Sequence, residues 1–89
     1  MGLSSGVYAQ TASIRGSVVD KATAEPLYGA HIALFQNGLY ITGAASNVDG
    51  FFTVRNVEPG QYTFQVSFIG FQSYEERVHL DRGETLLRG

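Results

Sequence analysis

Cysteine is absent from this 89-residue chain, so neither a disulfide framework nor a thiolate zinc site is open to it. No apolar run is long enough to cross a bilayer as a helix, so no direct membrane insertion is expected. Basic residues are few: six Lys and Arg stand against eight Asp and Glu, for a net charge of −2. They form no stripe, which removes the electrostatic footprint of nucleic-acid binding. No segment carries helical periodicity, and no Gly-rich phosphate loop precedes a helix. The two prolines, Pro26 and Pro59, both stand between apolar runs, where a missing N–H harms no ladder. Internal repeats and low-complexity tracts are also missing.

What is present suffices for one small domain. Ordering a chain of this length costs on the order of 100 kcal/mol of conformational entropy, which only a real core offsets. The 44% hydrophobic and 12% aromatic content supply that core, because each Phe and Tyr buries a large area.

Short β-rich runs separated by Gly, Pro, Asn and Asp fill the chain from Ser13 onward. The clearest is Gln61 to Phe68, where Tyr62, Phe64, Val66 and Phe68 share one face and Gln61, Thr63, Gln65 and Ser67 the other. That alternation marks a half-buried antiparallel strand. Ile14 to Val19 places Ile14, Gly16 and Val18 together, and Ala30 to Phe35 groups Ala30, Ile32 and Leu34. Leu39 to Ala45 follows Asn37-Gly38, a pair suited to a tight type I′ hairpin. Phe51 to Arg55 follows a second turn, Asp49-Gly50. Phe71 to Leu80 directs Tyr74, Val78 and Leu80 inward; Glu76 interrupts that face, and a bulge is expected to turn its carboxylate outward. Six or seven strands at this spacing predict a sandwich or barrel.

Catalysis needs a nucleophile or base with a partner, and the candidates are thin. His31 and His79 are the only histidines, and each reads as a solvent-facing strand residue. Glu75 and Glu76 are adjacent, point to opposite faces of a strand and so do not share a proton across one cleft. Asn47-x-Asp49-Gly50 resembles the middle of a calcium loop, but Ala45 takes the first ligand position and Asn56 the terminal bidentate one. A hairpin turn explains the same residues. No catalytic, cofactor-binding or metal-binding residue is therefore assigned, and the chain reads as a non-enzyme. Among the aromatics, Phe68 and Phe71 are expected to close the end of the core around a turn at Gly70. Phe51 and Phe52 point to opposite faces, leaving one of them exposed, and Phe35 raises the same question.

Residues 1–12 are expected to stay outside the fold, and 13–89 to form it. Leu3 to Gln10 reads like the last stretch of a signal peptide, with Val7-x-Ala9 as the small-residue cleavage signature; an ordinary disordered tail is the alternative. Glu84 to Arg88 looks like the start of a last strand cut short at Gly89. Such an edge leaves a neighbour with unpaired backbone groups and predicts edge-strand dimerisation of the isolated domain.

Five motifs in order carry a family resemblance. Ile14-Arg15-Gly16-Ser17-Val18-Val19-Asp20 looks like I-x-G-x-V-x-D, and Pro26-Leu27-Tyr28-Gly29-Ala30-His31-Ile32 like P-L-x-G-A-x-V/I. Ser46 to Phe52 resembles T-[DN]-x-[DE]-G-x-F, with Ser46 replacing the usual Thr. Val57 to Tyr62 looks like V-x-P-G-x-Y, and Ser67-Phe68-Ile69-Gly70-Phe71 like S-[YF]-[IV]-G-[YF]. Together they resemble the carboxypeptidase regulatory-like domains over residues 13–80. The resemblance implies a transthyretin-like, seven-stranded Greek-key β-sandwich without catalytic residues or cofactors. The S-F-I-G-F form is most similar to the version found as an N-terminal extension of TonB-dependent outer-membrane nutrient receptors of Bacteroidetes. That resemblance implies an exported domain on the periplasmic face of the outer membrane, with the receptor's plug and barrel or other envelope proteins as partners. A spacer or ligand-binding module of a secreted or cell-surface protein, linked to a peptidase or glycan-degrading enzyme, is the alternative. Leu87-Arg88-Gly89 echoes the Y-R-G-S ending of the related transthyretin-like hydrolases, but the Tyr and Ser are missing, and the echo reads as chance.

Overall fold

The alternating runs become strands that bury one face each. The computed structural model describes residues 10–89. Its strands are β1 (Ala12–Ser17), β2 (His31–Gln36), β3 (Leu39–Ala45), β4 (Phe51–Val57), β5 (Gly60–Ser67), β6 (Tyr74–Leu80) and β7 (Thr85–Arg88). They form two sheets, β4-β1-β7 and β3-β2-β5-β6, with no helix among the described residues. β5 returns to pair with β2, giving the Greek-key course. All pairings are antiparallel except β1 with β7, which run parallel.

The core lies between the sheets. Ile14, Leu34, Val54, Phe64 and Leu80 are buried there with Ile32, Phe52, Val57, Tyr62 and Val78. Side chains of this size contribute roughly 1.5–3 kcal/mol each when fully buried. Phe52 and Phe64 meet across the sandwich with ring centroids 6.0 Å apart. The Phe52 ring lies over Gly16, its ladder partner, and a Cβ at Gly16 would also overlap the Arg88 carbonyl oxygen. The glycine of the opening strand is therefore what lets β7 and the Phe52 ring close on β1.

Two irregularities keep the pattern in phase. Ala12 pairs with Val57 but Ile14 with Val54, so Arg55 and Asn56 together oppose Ser13. Asn56 takes φ 59°, and the bulge returns Val57 to the core face. In β3 a similar shift leaves Ile41 as the extra residue between Tyr40 and Thr42. Asn37 and Gly38 both have positive φ, as the predicted type I′ hairpin requires.

The structure departs from the sequence expectations at several points. Ala12, assigned to the tail, is the first residue of β1 and is buried. The first strand stops at Ser17; Val18 hydrogen-bonds Gly50, and Val19 bridges Pro26. No bulge occurs at Glu76: the β5–β6 register is unbroken, and Glu76 opposes the inward Phe64. Arg88 of β7 supplies its partner instead, with Nε donating to Glu76 Oε2 at 2.5 Å. Tyr74, expected inward, is exposed. The proposed cleavage signature at Val7 and Ala9 lies outside the described residues.

Candidate interaction surface

Loops gather at the two ends of a sandwich, and here one end exposes several large apolar side chains. It receives the β1–β2 loop, the β3–β4 loop and the β5–β6 turn. The first two are stitched together by the backbone. Val18 donates to Gly50, Leu27 to Val18, Gly29 to Ser46 and Ser46 to Ala30. Buried Ser46 completes the lock, because its hydroxyl donates to the Leu27 carbonyl at 2.6 Å and accepts from Ala30 N–H at 2.8 Å. Asn47 shapes the next turn, its Oδ1 accepting from the N–H groups of Asp49 and Phe51 at 2.9 Å each. A side-chain amide cap accounts for the calcium-loop look-alike without a metal. No cluster of His, Asp or Glu able to hold a metal occurs among the described residues.

On this rigid platform several apolar side chains face solvent. Tyr28 and Val48 are each 70% exposed, and Ile69 at the tip of the β5–β6 turn is 91% exposed. Gly70, at φ 86°, makes that turn, closed by the Phe71 N–H to the Phe68 carbonyl at 3.0 Å. Phe68 and Phe71 pack edge-to-face at 5.6 Å. Phe68 is half-buried, whereas Phe71, expected to close the core, is 47% exposed. The two aromatics of the turn thus pack on each other, and neither belongs to the buried core that they were expected to close. Ser67 pairs with His31, so the turn stands beside the approach to β2 and Tyr28. Exposed apolar residues gathered at one end of a domain mark candidate interaction sites.

The two histidines fall at opposite ends of the sheet, His31 beside the β5–β6 turn and His79 away from it. His31 pairs with Ser67, and His79 pairs with Gln61 at the far end of the same strand, a separation of about 20 Å. Both are exposed; His79 Nε2 lies 2.9 Å from Asp81 Oδ1. Glu75 accepts from Gln65 Nε2 on the outer face, while Glu76 turns inward to Arg88. Phe52 is buried and Phe51 exposed, as their opposite faces require, and Phe35 stacks edge-on against Tyr40 at 5.9 Å. Two open grooves cross the outer faces. One, about 500 Å³, runs past Arg15, Thr53 and Arg55; the other, about 560 Å³, past Phe35, Thr63 and Arg77.

The five sequence motifs thus coincide with structural joints of one sandwich: Gly16 under Phe52, the Ser46 lock, the Asn47 cap, the Gly70 turn and the corner at Tyr62. At that corner the Tyr62 hydroxyl donates to the Glu58 carbonyl at 2.7 Å. Residues 13–87 match the carboxypeptidase regulatory-like domain family. The chain belongs to that family. No curated protein matches the chain. In this carboxypeptidase regulatory-like domain, Ser46 keeps the hydroxyl that the lock needs although Thr is usual there. The family is one of non-catalytic β-sandwich modules. Sequence reasoning overlooked Tyr28 and Val48; their signal was position, each standing within a turn sequence beside a small or polar residue.

Proposed function

We propose that this regulatory-like domain is a non-catalytic docking module, working as the periplasmic N-terminal extension of a TonB-dependent outer-membrane nutrient receptor. The observation that carries the docking role is Ile69, held almost wholly in solvent on a turn that Gly70 permits and the Phe68–Phe71 pair braces. Burying an exposed isoleucine against a partner gains roughly 1.5–3 kcal/mol, which a surface residue without a partner forgoes. The receptor context rests on the S-F-I-G-F form of that turn and on the export-like residues before Gln10. The partner is the plug or a neighbouring envelope protein.

A photo-crosslinking residue at position 69 in the full-length gene product, expressed in its own envelope, tests this reading. Crosslinks to the plug of the same polypeptide, or to another outer-membrane component, support it. Crosslinks to an attached peptidase or glycan-degrading domain favour the secreted-module alternative. Ile69→Asp is expected to leave domain stability within about 0.5 kcal/mol while abolishing the crosslinks of a probe placed at Tyr28.

A further inference from the structure

The chain has a second unoccupied feature, on a flank of the sandwich and not at its loop end. Among the described residues four strands stand at sheet edges: β3 and β6 in one sheet, β4 and β7 in the other, with β3 and β4 neighbours on one flank. Exposed edges are pairing templates, and proteins blunt them with charge, proline, bulges or brevity. β6 carries Glu75, Glu76, Arg77 and His79. β4 carries Arg55 and the Asn56 bulge, and β7 is only four residues long. β3, Leu39-Tyr40-Ile41-Thr42-Gly43-Ala44-Ala45, has seven residues and no charge or proline. Its only irregularity is at Ile41, which leaves Thr42 to Ala45 in regular pairing with β2. Neutrality extends well beyond the strand, since no Asp, Glu, Lys or Arg occurs between Glu25 and Asp49. All the chain's formal charges lie outside the β2–β3 hairpin and its flanks. Leu39, Tyr40 and Ile41 are exposed beside this edge.

We infer that β3 is a homotypic pairing edge whose occupant is β3 of a second copy, joined antiparallel about a two-fold axis. The electrostatics choose this occupant. Self-pairing about a two-fold axis sets the residue at the axis against itself, so a charged edge is restricted to registers that keep like charges apart, whereas a neutral edge is not. β6 meets its own carboxylates in any register centred on Glu75 or Glu76, whereas β3 brings together only neutral side chains in every register. Alternate residues of β3 direct N–H and C=O groups away from β2, and an antiparallel β3 satisfies them in one continuous eight-stranded sheet. The contact is small, so association is weak and concentration-dependent. This inference is independent of the receptor reading, because it concerns a different surface.

Sedimentation equilibrium on the purified domain tests it, using two charge-bearing variants at exposed β3 positions. Ile41→Lys with Ala45→Lys makes one variant, and Ile41→Glu with Ala45→Glu the other. The unmodified domain is expected to dimerise reversibly. Each variant, checked for native circular dichroism, is expected to raise the dissociation constant about tenfold or more. An equimolar mixture of the two is expected to restore association, which misfolding would not do. A domain that stays monomeric at high concentration overturns the inference. So does a dimer that both variants leave intact, because that dimer uses another edge.

Discussion

Arg88 Nε on β7 donates to Glu76 Oε2 on β6 at 2.5 Å, so the two sheets are pinned by one ion pair along their β6–β7 flank. The contact holds the guanidinium in its charged form, raising the Arg88 pKa chiefly through the hydrogen bond, against the opposite pull of burial. Both side chains retain partial exposure, 36% for Arg88 and 24% for Glu76, so solvent screens the attraction.

A double-mutant cycle with Glu76→Gln and Arg88→Gln is expected to give a coupling energy of about 0.5–1 kcal/mol. Added salt is expected to reduce it. Urea melts in low and high salt provide the measurement, and a coupling near zero in low salt would show the pair to be ornamental.

Tyr62 predicts an alkaline limb in the stability profile. Burial first, and the Glu58 charge second, raise its phenol pKa above the ordinary value of about 10. The folded state therefore keeps a proton that the unfolded chain releases. The associated stability is whole below the unfolded pKa and is lost as pH rises from there through the folded one. Tyr62→Phe is expected to cost about 1 kcal/mol at neutral pH, from the lost hydrogen bond to Glu58, and to flatten the decline above about pH 10. Chemical denaturation across that range, on both proteins, reads the difference.

Gly16→Ala is expected to be far more disruptive than a surface Gly→Ala exchange. The new methyl meets the Arg88 carbonyl, which does not move without opening the parallel β1–β7 ladder, and the Phe52 ring, which does not move without disturbing its packing on Phe64. A loss of at least about 2 kcal/mol is expected, of the order seen for overpacked cores. Amide exchange should show Thr85 to Arg88 deprotected first. Uniform protection with unchanged stability would contradict the packing described for Gly16.

Much of this architecture was legible in the residues because its causes are local. Asn37-Gly38 fixes a hairpin by the positive φ both residues accept, and Tyr62, Phe64 and Val66 reveal their face by strict alternation. The failures share a cause of another kind. Glu76 broke the apolar pattern of β6, and a bulge was the local remedy; the actual remedy stands on another strand in the other sheet. The real bulge, at Asn56, was missed because Arg55-Asn56 looked like the polar end of a strand, when Val57 still had a place in the core. Phe68 and Phe71 are expected in the core for their size, but across the Gly70 turn they pack on each other, Phe68 half-buried and Phe71 exposed, and neither joins it. The apolar loop end itself was half visible. Phe68 and Phe71 stand out in the sequence but Tyr28 and Val48 do not, because their exposure depends on how three loops from distant parts of the chain come together.

The parallel pairing of the first strand with the last has a mechanical consequence. Ser13 to Gly16 lie beside Thr85 to Arg88, so a pull entering before β1 and leaving after β7 runs along both strands in opposite senses. The ladder is then loaded in shear, and its hydrogen bonds resist together. A pull between Gln10 and Glu58 would instead unzip the antiparallel β1–β4 pair one bond at a time. Single-molecule stretching through residues 10 and 89 is expected to need the larger force of the two geometries. Tension applied at the two ends of the domain would therefore fall on the whole β1–β7 ladder at once.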